Sequence, residues 1–355
     1  MSKKVRGYFK RGLVFAMVLV TAMFMLTACG TSEEKSDKIK IVCTTFPSYD
    51  WISELTAGVE NVELTLLQDK GVDLHSYQPT ADDMIKIKES NLFVYVGGES
   101  DDWVDDAIED IHREDFSAIS LMQILGENVK QEEVKEGMQA EEDEHDHDAD
   151  DHDADEEDGH DHDADEEDGH DHDAEEVEYD EHVWLSLKNA ETICAVLADK
   201  LEEINPENKD KISENAKSYI EKLSALDAEY EKTVSGATNK TVLFGDRFPF
   251  RYLVDDYGID YFAAFVGCSA ETEASFETVA FLSGKVDDLG LNTILTIDKS
   301  DKKIAKTIVA NSKEKSAKIL TLNSMQTVDK KQMEDGATYL KIMQENLNVL
   351  KEALK

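Results

Sequence analysis

Short apolar runs of strand length alternate along this chain with stretches whose apolar positions fall on one side of a helix. That alternation predicts an α/β protein with parallel sheets. Ile39–Cys43 and Val62–Leu67 read as the first two strands. Thr80–Ser90 reads as a helix with Thr80 as N-cap and Asp82 and Asp83 in its first turn, where carboxylates suit the positive end of the helix dipole. Leu92–Val96 is a strand closed by Gly97-Gly98, Asp101–His112 a helix, and Leu187–Glu203 a helix stopped near Pro206. In Glu207–Val234 the apolar residues Ile212, Ala216, Tyr219, Ile220, Leu223, Leu226 and Tyr230 form one stripe of a helix roughly 40 Å long. A helix of that length suits a brace between two lobes better than a crossover inside one. A second set of units follows, with strands Thr241–Phe244, Tyr261–Phe265, Thr293–Ile297 and Lys318–Leu322. Its helices are Phe248–Asp256, Ser275–Leu289, Asp301–Asn311 and Lys330–Leu354. The expected fold is two lobes, 39–206 and 237–355, each with a small parallel sheet flanked by helices, joined by one long helix at 207–236.

One tract breaks the pattern. Glu141–Glu178 holds seven of the ten histidines, twenty-four acidic residues and no Lys or Arg, and the decapeptide DADEEDGHDH occurs in it twice without change. With almost no apolar side chain it cannot offset the entropy of ordering a backbone, so a disordered insertion at about 130–178 is expected in the first lobe. The histidines are His145, His147, His152, His160, His162, His170 and His172. Repeated H-D-H triplets point to low-affinity metal capture. Imidazole suits zinc, copper, nickel and iron(II), and carboxylate widens the choice toward manganese.

The first residues supply an address. Lys3, Lys4, Arg6, Lys10 and Arg11 precede the apolar run Leu13–Leu26, which is too short for a comfortable membrane span, and L-T-A-C follows at Leu26–Cys29. That box resembles the processing site of bacterial lipoproteins. The resemblance implies a signal peptide at 1–28, a lipid on Cys29, a tether over 29–38, and a protein anchored on the extracytoplasmic face of the cell membrane. The net charge is −42, of which the tract carries −24, and no basic stripe is present to neutralise phosphates, so nucleic acid is excluded as a partner. Cys43, Cys194 and Cys268 allow one disulfide and a spare thiol, or none.

Outside the tract three histidines remain. His112, in D-I-H-R-E-D, reads as solvated. His75 lies in G-V-D-L-H-S-Y-Q-P-T, a loop after a strand, where ligands bind in α/β sheets, and His182 lies in D-E-H-V-W-L-S-L before a helix. His75 with Pro79, then His182 with Trp184, resembles the zinc and manganese solute-binding proteins of bacterial ABC importers, and the His-rich acidic insertion between them resembles the zinc members. The resemblance covers the whole mature chain. It implies a metal site in the cleft between the lobes, zinc as the cargo with manganese less favoured, a cognate ABC permease as partner, and a monomer without enzymatic activity.

Carried over by position, the resemblance makes His75 and His182 ligands from the first lobe. The family's third ligand precedes a segment matched here by Phe250-Arg251-Tyr252 through Tyr257-Gly258, and ungapped alignment places Arg247 there. A guanidinium has no lone pair for a cation. Asp246 is then one substitute, and Asp298, where the family has an acidic ligand, and Asp301 are others, with Asp298 preferred. Cys268, Glu271 and Glu273 lie in a loop expected to face the cleft, and each either contributes or braces the loop; Arg247 is expected to pair with an acidic neighbour such as Glu271 or Glu273. Two readings from other classes stand beside the transport protein. A zinc-dependent surface hydrolase finds no H-E-x-x-H or G-x-S-x-G to support it. A metal buffer or adhesin would make the tract the active part.

Overall fold

The computed structural model describes residues 38–139, 178–269 and 273–355, and those from Ile39 onward form one unit. The first lobe runs β1 (Ile39–Cys43), α1 (Phe46–Leu55), β2 (Val62–Leu66), α2 (Ala81–Glu89), β3 (Leu92–Tyr95), α3 (Trp103–Ile108), β4 (Ser117–Ser120) and α4 (Leu121–Leu125). Its strands are parallel in the order β2-β1-β3-β4. After α5 (Leu187–Ile204) and α6 (Lys209–Ser235), the second lobe runs β5 (Thr241–Phe248), α7 (Arg251–Tyr257), β6 (Asp260–Val266), α8 (Phe276–Leu289), β7 (Thr293–Thr296), α9 (Lys303–Asn311), β8 (Lys318–Thr321), α10 (Lys330–Glu334) and α11 (Tyr339–Ala353). Its parallel order β6-β5-β7-β8 repeats that of the first lobe. In both sheets the order reverses between the first and third strands, and the crevice beyond the carboxyl ends at such a reversal is where open α/β sheets bind ligands.

Local chemistry explains most element ends. Thr80 accepts from the Asp83 N–H while the Asp83 carboxylate accepts from the Thr80 N–H, a reciprocal cap that starts α2 where the sequence placed it. The α6 stripe is as expected, with Ile212, Ala216, Tyr219, Leu223, Leu226 and Tyr230 buried, Val234 extending it and Ile220 at its margin. Several features differ, and β4 with α4 was not marked by the pattern at all. The pattern did not single out α1, although Pro47 in its first turn and Phe46, Trp51, Ile52 and Leu55 on its buried side carry the signal. β5 continues through Phe248 because Arg247 and Phe248 pair with Phe265 and Val266 after a bulge, so the following helix begins only at Arg251. The expected single C-terminal helix is two, because Gly336 at φ 88° ends the first and Thr338 caps the second.

α11 returns to the first lobe and closes the core against α6. The Tyr230 hydroxyl donates to the Met343 carbonyl at 2.6 Å, and the Tyr339 hydroxyl to the Trp184 carbonyl at 2.7 Å. Trp51 meets Tyr339 edge to face with ring centroids 5.1 Å apart. One apolar core therefore runs from Ile41 and Trp51 through Trp184 and Tyr230 to Phe244 and Leu347, and a smaller cluster fills the outer face of each sheet. Cys43, Cys194 and Cys268 are all free thiols. No helix among the described residues is long and apolar enough to cross a membrane.

The contact between α1 and α11 contains a buried acid. The Asp50 carboxylate accepts from the Tyr339 N–H at 2.9 Å, and burial, reinforced by the charge of Glu54, pushes its pKa up to about 7 despite that bond. The unfolded chain releases this proton near pH 4, so between about pH 4 and 7 the folded state binds more protons and stability falls as pH rises, levelling off above 7. Asp50→Asn keeps an acceptor for Tyr339 and removes the charge. Thermal melts of the metal-free protein should show the variant equal to wild type near pH 4 and more stable at pH 8; parallel curves would show that Asp50 does not drive this slope.

Candidate metal site

The two histidines predicted as ligands meet in the cleft between the lobes. His75 lies in a short helical turn, Leu74–Ser76, beyond the carboxyl end of β2, where the Asp73 carboxylate caps the turn by accepting the His75 N–H at 3.2 Å. Its Nδ1 is 2.7 Å from the Ser100 hydroxyl, beyond β3. His182 arrives on the segment leading to the turn Val183–Leu185 and α5. That segment is pinned to residues 130–132 by Glu132 N–H to Glu178 O and Asp180 N–H to Lys130 O, and the Tyr252 hydroxyl donates to the Asp180 carbonyl at 2.8 Å. Asp180 Oδ1 accepts from the His182 N–H at 2.8 Å and faces its Nδ1 at 3.0 Å, which orients the ring and turns Nε2 to the cleft. The two Nε2 atoms are 3.2 Å apart, with ring centroids at 5.2 Å.

From the second lobe comes Cys268, just beyond β6. Ligand atoms of His75, His182 and Cys268 all lie within 4.8 Å of one another, the one such group of three found among the described residues. The Cys268 N–H donates to Glu132 Oε1 at 3.1 Å. Beside it, a Cβ on Gly267 would stand 3.1 Å from His182 Cε1 and 3.0 Å from the Phe248 carbonyl, so any larger residue needs the ring or the strand end to give by a few tenths of an ångström. Gly98, at φ 85°, serves the other side: a Cβ there would lie 2.5 Å from Glu181 Oε1, which accepts the Ser100 N–H at 2.8 Å.

The surroundings are electrostatically uneven. Burial, then the neighbouring His182, pushes the His75 pKa down to about 3. Burial also works against charge on His182, but the Asp180, Glu181 and Glu132 carboxylates outweigh it and raise the basicity of that ring. Burial pushes Glu181 up to about 7, and its Oε2 has no hydrogen-bond partner, 3.6 Å from His75 Nδ1. Burial and Glu132 hold the Cys268 thiol well above its ordinary value. A field that strengthens the hold of Nε2 on a proton also strengthens its hold on a cation. Two imidazoles, a sulfur and nearby carboxylates fit a borderline divalent ion.

The carboxylates chosen from the sequence lie beside this cluster rather than in it. Asp298 accepts the Ser324 N–H and hydroxyl, each at 2.7 Å, and the Thr327 hydroxyl at 2.5 Å. Asp246 accepts the Arg247 N–H at 3.0 Å, and Asp301, exposed, pairs with Lys303 at 2.9 Å. All three line an adjoining cavity of about 490 Å³ together with Asp73, Arg247 and Gln326. Arg247 pairs with Asp73 of the first lobe at 2.8 Å and donates to the Ser269 carbonyl, in place of the expected Glu273; Glu271 lies outside the described residues. His112 is exposed. Cys29 and the tract histidines also lie outside the described residues. The sequence reading passed over Asp180, Glu181 and Gln326. The first had a visible cue, an acid two residues before a histidine at the start of a turn.

Fold and site together define a two-lobed solute-binding protein with metal-ligating side chains gathered in its cleft. The profile of the family described as zinc-uptake complex component A, periplasmic, matches residues 41–353, and the chain belongs to that family. It is a family of solute-binding proteins, not of enzymes. The chain is 28% identical over 327 residues to the zinc-binding lipoprotein AdcA of Streptococcus pneumoniae, an alignment covering 92% of this chain and 58% of that protein. It is 27% identical over 343 residues to the high-affinity zinc uptake system protein ZnuA of Bacillus subtilis, covering 95% and 96%. The crystal structure of Zn(II)-bound AdcA from Streptococcus pneumoniae matches with a TM-score of 0.65 at 26% identity, over 89% of this chain and 58% of that one. The chain thus spans less than two thirds of the pneumococcal protein.

The tight approach at Gly267 is testable. Gly267→Ala forces its new methyl against His182 Cε1 and the Phe248 carbonyl, and overpacking of this kind costs about 1–3 kcal/mol. If the displaced ring is a ligand, zinc affinity measured by chelator competition should fall by about tenfold or more. Unchanged affinity would show that this contact does not set the ring's position for metal.

Proposed function

We propose that this protein captures zinc outside the membrane at His75, His182 and Cys268 and delivers it to the permease of an ABC importer. The observation that carries the reading is the pair of Nε2 atoms 3.2 Å apart, with the Cys268 ligand atom inside the same 4.8 Å group. Nitrogen and sulfur donors suit tetrahedral zinc, whereas manganese favours oxygen, and the cluster itself holds no carboxylate. Asp246, Asp298 and Asp301 then act from the adjoining cavity, as field and scaffold. The names of the pneumococcal and Bacillus relatives support zinc as cargo.

Delivery follows from where the donors come from. His75 and His182 belong to the first lobe and Cys268 to the second, so a bound ion ties the lobes together and favours one closed arrangement. A ligand shifts such an equilibrium only by its differential affinity for the two states, and that difference is what a permease reads. The tract adds a capture reservoir of weak sites beside the one tight site, with its repeated histidines and carboxylates as donors. The lipid on Cys29 keeps the protein on the membrane surface near its permease.

Deleting residues 141–177 should leave one tight zinc equivalent and remove the weak ones. In that background His75→Ala, His182→Ala and Cys268→Ser should each weaken the tight site by about tenfold or more in chelator competition. Retention of full affinity by all three variants would refute the site; loss of every zinc equivalent on deletion would make the tract the functional part. Separately, Cys29→Ala should move the protein from the membrane fraction to the soluble extracellular fraction. A variant that stays with membranes would rule out the lipid as its anchor.

A further inference from the structure

His75 belongs to the first lobe by sequence, yet the segment that carries it is fastened to the second. Beyond β2, backbone bonds to its own sheet end with Leu67 N–H to Cys43 O and Gln68 N–H to Thr44 O. The next partners lie across the cleft. Asp69 O accepts the Lys330 N–H at 2.8 Å, and Lys70 and Asp329 form an isolated antiparallel bridge. The Gly71 carbonyl accepts from Lys299 Nζ at 3.1 Å, in the loop after β7, where Lys299 holds a left-handed φ of 57°. Asp73 Oδ2 pairs with Arg247 Nη2 at 2.8 Å, with 17% and 19% of the two side chains exposed. Gln326, in the loop after β8, touches both histidines, its Nε2 standing 3.4 Å from His75 Nε2.

Arg247 is the charged member of this strap. Its backbone is fixed by the pairing of β5 with Phe265, and its Nη1 donates to the Ser269 carbonyl at 3.2 Å. The other oxygen of Asp73 caps the His75 turn, so the guanidinium reaches the imidazole through a single intervening side chain. A charge-assisted hydrogen bond of this kind forms whether or not a cation is present.

We propose that Arg247 is a positioning residue: by pairing with Asp73 it fastens the His75 turn to the second lobe before any cation arrives. A cation then meets a cleft already part-assembled, and apparent affinity rises with the fraction of protein in the binding-competent arrangement. The gain in affinity rests on the reading of the site as a zinc site; the hold on the metal-free cleft does not. Field and latch act in opposite directions. Arg247 is a positive charge near the ion, so by field alone its removal tightens binding. As a latch, its removal weakens binding.

The test uses the full-length protein and zinc, with a chelator competitor strong enough to isolate the tight equivalent. Arg247→Met, which keeps the bulk and removes the charge, should weaken that equivalent by about tenfold or more. In an Asp73→Asn background the same change should leave affinity unchanged or tighten it, because the route through Asp73 is already broken. A methionine variant as tight as wild type or tighter, or one that weakens binding equally in both backgrounds, overturns the proposal. Amide exchange of the metal-free protein reads the latch directly. The Lys330 and His75 amides should be protected in wild type and exchange about tenfold or more faster in Arg247→Met, with those of α6 unchanged. If the variant does not fold, an unprotected Lys330 amide in metal-free wild type overturns the latch and a protected one supports it. Wild type without any tight zinc equivalent would remove the zinc reading, and the exchange result would still decide the latch.

Discussion

Two imidazole nitrogens stand 3.2 Å apart in the cleft, His182 fully buried and His75 partly so, and they cannot both turn a lone pair on the other. Each ring is fixed from behind, His182 by Asp180 and His75 by Ser100, so neither can swing away to water. Something must stand between them that accepts electron density from both, whether a proton, an N–H group or a cation. Much of the surrounding structure is arranged to keep that demand in place. Gly267 lets the second lobe close on the His182 ring, Gly98 brings in Glu181, and Tyr252 ties the segment carrying His182 to the helix after β5.

The repeated topology explains how one point receives so many groups. Both sheets reverse order between their first and third strands and direct their carboxyl ends toward the cleft. His75, Ser100, Cys268, Asp298 and Gln326 each follow a strand end in one sheet or the other. The lobes are coupled at the same place by Trp184. Its indole donates to Ser324 in the second lobe while its carbonyl accepts from Tyr339, so the residue two positions from His182 links the site to the loop of Gln326 and to the returning C-terminal helix. That is the physical content of a tryptophan two residues after His182.

The architecture was readable because long-period patterns carried it. The α6 stripe, the Thr80 cap and the strand–helix alternation are local, repeated signals, and they gave two lobes and a brace. Elements set by few residues were harder: β4 is four residues long with one fully buried, and the bulge that extends β5 to Phe248 depends on pairing with a strand that follows it. At the site, His75 and His182 could be named because their flanking words are distinctive. Cys268 stayed one option among three, since loop geometry alone brings its sulfur in. Gln326 carried no charge, no metal-ligand reputation and no motif, and only the pairing of β7 with β8 shows that its loop meets the histidines.

The carboxylates show the same limit from the other side, because charge alone does not say what an acid touches. An acid near a strand end can act on a cation by contact, by field, or by holding what makes contact. Asp298 spends both oxygens on Ser324 and Thr327, Asp180 orients His182, and Asp73 anchors both the His75 turn and Arg247. Arg247, at the position where the resemblance implies a third ligand, reaches Asp73 across the cleft and pairs with that carboxylate beside the site. A guanidinium there would repel a cation if its charge were free. Paired with Asp73, it leaves Asp180, Glu181 and Glu132 to set the local field. The proposed donor set of two neutral imidazoles and one cysteine sulfur, which holds zinc as a thiolate, balances only part of a dication's charge, so nearby acids supply the rest of the counter-charge needed in a low-dielectric cleft.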